Sequence, residues 1–271
     1  MARFRWLLLA FCLFTATARA GEDVDLALVL VTDVSRSIHD GEYKLEKEGY
    51  AAALTSEQVL AAIKRGPLGS IAVAYVEFAS VFEVKTVLDF TVIRDEASAR
   101  AFTARLAEAP RSFWGRTAIS AGIDHAVAML AESPFNATRR VIDVCGDGTN
   151  NAGRDIRAAR DDAVAAGITI NGLAIINENP VSWTLAHVQP PGGLPNYYRE
   201  NVTGGPGSFV LEVRDFRTFG DAMTRKLVME IAARPVESRF ASTVDPVREG
   251  KKAGAPPRTP PGAEPLDLIP W

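Results

Sequence analysis

Three oxygen-bearing side chains at alternate positions follow the first long apolar run of the chain. Asp33, Ser35 and Ser37 come directly after the run from Leu26 to Val31. In a tight turn that leaves a strand, this spacing lets the three side chains converge on one point. Hard divalent cations prefer oxygen ligands in such an arrangement. The spacing therefore indicates a cation site, although a serine-rich turn can also cap the helix that follows.

The apolar run itself predicts a strand buried on both faces, because it is unbroken and rich in branched residues. Similar patterns predict further strands at Ser70 to Phe78, Thr138 to Cys145, Ile168 to Ile176 and Ser208 to Val213. The segment from Phe82 to Phe90 instead alternates apolar and polar residues, which is typical of a half-exposed edge strand. Its short link to the preceding strand favours an antiparallel hairpin.

Segments with helical spacing separate these strands. They are Asp40 to Arg65 with a break at Thr55-Ser56, Arg94 to Ala109, Ala118 to Ala131, Arg154 to Ala166 and Asp215 to Ala233. The segment from Asn177 to Gly207 is predicted to be irregular. Alternation of strands and helices predicts an α/β fold: a doubly wound, mostly parallel central sheet with one antiparallel edge strand and helices on both faces.

Two further oxygen-bearing side chains are expected at the same edge of the sheet as Asp33. Ligands of open α/β sheets bind at the carboxyl ends of the strands. Thr117 precedes the helix that begins near Ala118, and Asp147 follows the strand that ends at Cys145. The candidate metal ligands are therefore Asp33, Ser35, Ser37, Thr117 and Asp147.

This combination resembles the von Willebrand factor A-type domain and its metal-ion-dependent adhesion site (MIDAS). The motif of that site is Asp-x-Ser-x-Ser, then a Thr, then an Asp, and here all its positions are filled. The resemblance implies that the serines and the threonine contact the metal, that the aspartates often act through water, and that a partner carboxylate completes the shell. It also implies a last helix that moves when the metal shell changes.

A second resemblance concerns the setting of the protein. The segment from Asn196 to Val202, followed by Gly204 to Gly207, is similar to a bacterial group of exported A-domain proteins. Together the resemblances imply a binding module rather than an enzyme. Ligand hardness makes Mg²⁺ the expected metal, with Mn²⁺ or Ca²⁺ possible. The expected partner is a protein that supplies an Asp or Glu.

Two other functions compete with this interpretation. An aspartyl phosphotransferase of the haloacid-dehalogenase kind also has an Asp at the end of a first strand and a loop like Gly146 to Asn151. That enzyme needs a second Asp where Ser35 stands, as general acid, and a final Asp where Asn151 stands. The other alternative is a structural scaffold that binds no metal.

The chain has 271 residues, enough for one large domain or two small ones, and its net charge is −3. The sequence contains no cluster of basic residues of the kind that nucleic-acid binding requires. Residues 1–20 are typical of a secretory signal peptide, with Arg3 and Arg5 before a short apolar core and Ala18-Arg19-Ala20 as cleavage site. The A-type domain is predicted over residues 21–233, and the Pro-rich residues 234–271 are predicted to be unfolded or extended. A periplasmic or secreted location without a membrane span after cleavage follows, while the oligomeric state stays open.

Two residues of the predicted strand at Thr138 to Cys145 are expected inside the protein. Cys145 is the one cysteine outside the signal segment, because Cys12 lies within it. Its position at the end of an apolar run predicts a small buried side chain rather than a nucleophile. Asp143 lies in the same run, and a buried carboxylate needs a partner. We therefore expect a structural ion pair there.

Overall fold

Strand β1, Glu22–Asp33, lies at the centre of a six-stranded sheet in the computed structural model, which describes residues 21–176 and 190–233. The other strands are β2 (Ile71–Phe78), β3 (Val84–Ile93), β4 (Phe135–Gly146), β5 (Thr169–Ile175) and β6 (Val210–Val213). The order across the sheet is β3-β2-β1-β4-β5-β6, and only β3 is antiparallel to its neighbour. The predictions for residues 1–20, 177–189 and 234–271 lie outside the described residues.

Helices cover both faces of this sheet. They are α1 (Asp40–Leu54), α2 (Glu57–Lys64), α3 (Glu96–Glu108), α4 (Ile119–Ala131), α5 (Ile156–Ala165), the short α6 (Leu194–Tyr197) and α7 (Phe219–Ala232). Helices α1, α2, α3 and α7 share one apolar core with one face of the sheet, and α4 and α5 share the other. The residues of β1 alternate between these two cores, which explains its unbroken apolar sequence. The predicted doubly wound α/β fold is confirmed.

The segment from 190 to 207, predicted to be irregular, contains helical structure. Helix α6 continues into a π-helical turn, Tyr198–Val202. Leu194, Tyr198 and Val202 are spaced one turn apart and are buried in the core on the α4 side. Pro195 lies in the first turn of α6, where proline is tolerated. The prediction was wrong because the neighbouring glycines and prolines obscured this short apolar stripe.

The antiparallel hairpin is confirmed, but Phe82 belongs to its turn and not to strand β3. The turn is closed by hydrogen bonds from Ala79 N to Glu83 O (2.8 Å) and from Glu83 N to Ser80 O (2.9 Å). Phe82 lies at its tip and is 97% exposed. The simple alternation of the sequence extended the strand too far, because it contains no signal for this tight turn.

Strand β4 carries the buried residues that its sequence predicts. Cys145 is a free, fully buried cysteine, and burial raises the pKa of its thiol. Asp143 is fully buried and pairs with Lys226 of α7 at 2.5 Å. Both predictions are confirmed. Within the described ranges, no helix combines the length and apolarity needed to cross a bilayer.

Candidate metal centre

Three loops meet at the carboxyl edge of the sheet, above β1 and β4. These strands are adjacent and parallel, with Thr32 paired to Cys145. Asp33 ends β1, and Asp147 follows directly after β4. The third loop, residues 109–118, carries Thr117 and leads into α4. The register of the two strands thus brings both candidate carboxylates to one end of the sheet.

The five candidate ligands form one continuous hydrogen-bond network. The backbone N–H of Ser35 donates to Asp33 Oδ1 at 2.7 Å, and the hydroxyls of Ser35 and Ser37 lie 3.2 Å apart. Ser37 Oγ donates to Asp147 Oδ1 at 2.8 Å, while Thr117 Oγ1 donates to Ser35 Oγ at 3.2 Å. All five side chains are therefore together, and their role as metal ligands stays a prediction.

The serines of this loop do not cap helix α1, so that alternative is wrong. The cap is His39, whose Nδ1 accepts hydrogen bonds from the backbone N–H groups of Gly41 (3.0 Å) and Glu42 (3.2 Å). Glu42 Oε2 accepts in return from the backbone N–H of His39 at 3.0 Å. This capping box satisfies the first turn of α1. The hydroxyls of Ser35 and Ser37 consequently remain at the candidate metal centre.

The chemistry of the two carboxylates fits a dication. Asp33 is fully buried, and its Oδ2 has no hydrogen-bond donor among the described residues. Burial, and secondly the charge of Asp147, raises the pKa of Asp33 to about 8. A buried carboxylate is costly without a compensating charge. The described residues contain no cluster of three or more His, Cys, Asp or Glu suited to a metal, because three of the five donors at this site are hydroxyls.

Arg111 holds the loop of Ser35 in place, and no local sequence pattern singles it out. Its Nη2 donates to the carbonyls of Val34 (2.8 Å) and Ser35 (2.9 Å), and its Nε donates to Phe113 O (3.0 Å). The side chain is only 4% exposed. Arginine in a polar loop is usually solvent-exposed, so only the tertiary structure identifies this positioning role.

Asparagines after β4 hold the loop that carries Thr117. The Oδ1 of Asn151 accepts from the backbone N–H of Thr117 at 3.0 Å, and the N–H of Asn151 donates to Thr117 O at 2.8 Å. Asn150 Oδ1 likewise accepts from the backbone N–H of Ser120 at 3.0 Å. The two asparagines therefore connect backbone segments, which is a different use from the metal loop of haloacid dehalogenases.

Tyr198 approaches the site from the π-helical turn behind it. Its hydroxyl is buried and has no hydrogen-bond partner among the described residues. A Cβ built on Gly146 would lie 2.9 Å from this hydroxyl, 2.9 Å from Asp33 Cβ and 3.1 Å from Asp33 Oδ2. Asp33 and Tyr198 thus both pack against the backbone of Gly146. Sequence reasoning missed Tyr198 because its segment was predicted to be irregular.

We expect Gly146→Ala to lower the free energy of unfolding by about 1–3 kcal/mol, the usual cost of overpacking a buried site. The added methyl would force Asp33 or Tyr198 to move. Chemical denaturation measures this change. Gly220→Ala is the matched control, because its Cβ would meet only Gly49 and Ala52 at 3.4 Å or more. Equal stability of the two variants would contradict the packing described here.

Glu46 adds a further buried carboxyl group near the site. It is fully buried on α1, and burial, followed by the charges of Asp33 and Asp147, raises its pKa well above the usual range. Its Oε1 lies 4.0 Å from the Sγ of Cys145. In the sequence Glu46 looks like an ordinary polar residue of an amphipathic helix, so pattern reasoning could not find it.

Solved structures with a similar fold include a byssus matrix protein, a von Willebrand factor type A protein and a pilus adhesin. Proximal thread matrix protein 1 from the mussel byssus, in a form with a zinc-occupied MIDAS motif, has 20% identity and a TM-score of 0.56; 78% of this chain covers 49% of that chain. The von Willebrand factor type A protein from Catenulispora acidiphila has 14% identity and a TM-score of 0.54, with 78% and 43% covered. The pilus adhesin SpaC from Lactobacillus rhamnosus GG has 14% identity and a TM-score of 0.50, with 78% and 31% covered.

These similarities establish the fold alone, since all identities are low. The chain spans about half or less of the length of these structures. No curated protein matches the sequence. Residues 23–235 match the family model described as "Protein of unknown function (DUF1194)". Since this match covers most of the sequence, the chain belongs to the DUF1194 family, and its fold is that of a von Willebrand factor type A domain.

Proposed function

We propose that the protein is a metal-dependent, adhesion-type binding module that recognises a partner protein through a carboxylate. The observation that carries this proposal is the hydrogen-bond network of Asp33, Ser35, Ser37, Thr117 and Asp147. Three hydroxyls and two carboxylates form an oxygen-only donor set. The orphaned Oδ2 of Asp33 is the atom of this set most in need of a cation.

The donor set accounts for the choice of partner group. Asp33 and Asp147 would balance the charge of a dication, while Ser35, Ser37 and Thr117 would supply neutral oxygens. When bound, the metal would act as a Lewis acid for an Asp or Glu carboxylate of the partner. Hydroxyls are hard ligands, which favours Mg²⁺, with Mn²⁺ or Ca²⁺ as alternatives. The zinc-occupied MIDAS motif of the mussel protein makes Zn²⁺ worth including in the test.

The expected setting is outside the cytoplasm. The signal-like residues 1–20 support export to the periplasm or beyond the cell, and the domain would comprise residues 21–233.

A binding role is favoured over phosphoryl transfer by two positions. Ser35 stands where a haloacid dehalogenase needs its acidic general acid, and its hydroxyl lies within the network of the other candidate ligands. Asn151 is engaged with the backbone of Thr117. In the presence of Mg²⁺, we expect the wild type to hydrolyse p-nitrophenyl phosphate no faster than the Asp33→Asn variant does. Hydrolysis that disappears in this variant would favour the enzyme.

The test of metal binding is thermal and chemical unfolding of the wild type with Mg²⁺, Mn²⁺, Ca²⁺ and Zn²⁺, each against a chelator. Free metal at about 100 times its Kd should stabilise the protein by about 2.7 kcal/mol. Asp33→Asn, which keeps the shape of the side chain, should abolish this gain. Asp161→Asn is the control, because Asp161 is exposed and pairs with its neighbour Arg160 on helix α5.

Stabilisation of the control but not of Asp33→Asn supports the proposed site. Equal stabilisation of both variants would place the metal elsewhere. If none of the four metals stabilises the wild type, the metal-free scaffold is the better interpretation.

A further inference from the structure

Exposed apolar side chains are concentrated at the edge of the sheet that holds the candidate metal centre. Among the described residues, the exposed large apolar side chains are Leu68, Val81, Phe82, Trp114 and Met229. Val81 and Phe82 lie in the β2–β3 turn, and Trp114 lies in the loop of Thr117. Phe82 is 97% exposed and Trp114 is 58% exposed. Exposed apolar groups gathered at one place indicate an interaction surface.

The two segments that carry these side chains, the β2–β3 turn and the loop of Thr117, are hydrogen-bonded to each other next to the candidate metal centre. The backbone N–H of Arg116 donates to Ser80 Oγ at 2.8 Å, and the N–H of Ala118 donates to Ala79 O at 2.7 Å. The β2–β3 turn is therefore fastened to the loop of Thr117. Phe82 at its tip is presented to solvent by a fixed backbone, so exposure does not result from a loose segment.

Trp114 is held in place by the same arginine that positions the Ser35 loop. The guanidinium of Arg111 lies 5.1 Å from the Trp114 ring centroid, and Arg111 itself is 4% exposed. A cation–π contact of this kind fixes the indole while leaving much of it exposed. Tryptophan on a preorganised surface is a frequent hot spot of protein interfaces.

Two arginines complete this surface. Arg36 lies between the candidate ligands Ser35 and Ser37, and Arg116 directly precedes Thr117. The backbone N–H of Arg36 donates to Gly115 O at 3.1 Å, so the two loops are joined beside both arginines. We call Arg36, Val81, Phe82, Trp114 and Arg116 the rim.

The two arginines of the rim carry positive charge near one neighbouring carboxylate, that of Glu83 in the β2–β3 turn, whose Oε2 accepts from the backbone N–H of Ser80 at 3.1 Å. Exposed arginines elsewhere on the domain pair with acids, such as Arg94 with Glu22 and Arg100 with Glu96. Arg36 and Arg116 are exposed and form no ion pair within the described ranges. The guanidinium of Arg116 donates instead to the Asn151 carbonyl at 2.6 Å. Since the chain as a whole is acidic, positive charge at this edge favours an acidic partner.

We propose that the rim binds an acidic segment of a partner protein in which apolar side chains lie beside several Asp or Glu residues. This proposal rests on the proposed function, since one of those carboxylates would reach the metal. The others would face Arg36 and Arg116, and an aromatic or aliphatic side chain would pack on Phe82 and Trp114. The rim then determines which carboxylate-bearing proteins are accepted.

The test uses three fluorescent synthetic peptides and the full-length protein in millimolar Mg²⁺. The first alternates Asp with Phe, the second has Ser in place of each Phe, and the third has Lys in place of each Asp. Fluorescence anisotropy should give the tightest binding for the first peptide, about tenfold weaker binding for the second, and none for the third. Equal affinity of the first two peptides, preferred binding of the third, or no binding of the first would overturn the proposal.

Variants of the rim separate this proposal from that of the metal site. Phe82→Ser should weaken the first peptide about tenfold, with metal stabilisation as in the wild type. The double variant Arg36→Gln with Arg116→Gln should also weaken the first peptide about tenfold when both proteins are compared at a Mg²⁺ concentration that saturates each of them. Leu68→Ser is the control, because Leu68 is exposed between α2 and β2, at the opposite edge of the sheet. If both rim variants bind the first peptide with wild-type affinity, the proposal that the rim binds the partner is overturned. If the rim variants lose peptide binding, but binding persists in chelator and in Asp33→Asn, the proposal for the rim holds. The proposed role of the metal is then refuted.

Discussion

Replacing Lys226 by methionine should lower the free energy of unfolding by about 3–5 kcal/mol at neutral pH, which is typical when one partner of a buried ion pair is removed. Lys226 is fully buried in α7, with its Nζ 2.5 Å from Asp143 Oδ1 and 2.6 Å from Glu230 Oε1. Asn171 Nδ2 donates to the same oxygen of Glu230 at 2.9 Å. The variant would leave two acidic groups in the core without their cation.

The charges of this cluster depend on one another. Burial lowers the pKa of Lys226, but the charges of Asp143 and Glu230 outweigh that effect and raise it. Burial, and secondly the charge of Glu230, raises the pKa of Asp143 to about 7 even with Lys226 present. Loss of the lysine would raise the pKa of Asp143 further, so Asp143 would take up a proton in the variant.

Urea denaturation followed by circular dichroism measures the cost. Adding Asp143→Asn to Lys226→Met should recover part of the lost stability, because a neutral amide removes the cost of protonating the buried carboxylate of Asp143. Arg100→Met is the matched control: it breaks an exposed helical pair with Glu96, which should cost at most about 1 kcal/mol. A cost for Lys226→Met no greater than that of the control would show that the cluster is not a stabilising link between α7 and β4.

Metal affinity should rise about tenfold per pH unit between pH 6 and 8 and then level off. Metal binding requires ionised carboxylates and releases bound protons. Because burial and the charge of Asp147 raise the pKa of Asp33 to about 8, a metal must displace a proton from Asp33 below that pH. Glu46, Arg111 and Tyr198 also face this group and modify the slope.

The same shift predicts how the metal-free protein responds to pH. The folded-state pKa of Asp33 is above its unfolded value of about 3.9. Its contribution to stability is therefore fully present below pH 4 and is lost as pH rises through 8. Added metal should consequently stabilise the protein more at pH 8 than at pH 6.

Calorimetric titration with Mg²⁺ at several pH values, in buffers of different ionisation enthalpy, measures both the affinity and the released protons. Asp33→Asn should bind metal weakly at every pH. Wild-type affinity that is independent of pH between 6 and 8 would show that Asp33 is already ionised in the metal-free protein.

Local sequence patterns were sufficient for the main elements. The unbroken apolar residues of β1, the helical spacing of α4 and the break between α1 and α2 all agree with the structure. They were predictable because burial of an element depends on the periodicity of its own residues. The turn at Phe82 and the helical segment from Leu194 to Val202 were not, because each is stabilised by contacts with distant parts of the chain.

The sequence by itself determined the α/β fold and the five candidate ligands, because strand order in an open sheet brings the carboxyl ends of neighbouring strands together. Only the tertiary structure could decide what surrounds them. Arg111, Glu46 and Tyr198 have the residue types of ordinary surface or loop positions, yet all three are buried around the loops of Ser35 and Asp147. Their roles depend on contacts between segments far apart in the chain, which no local pattern encodes.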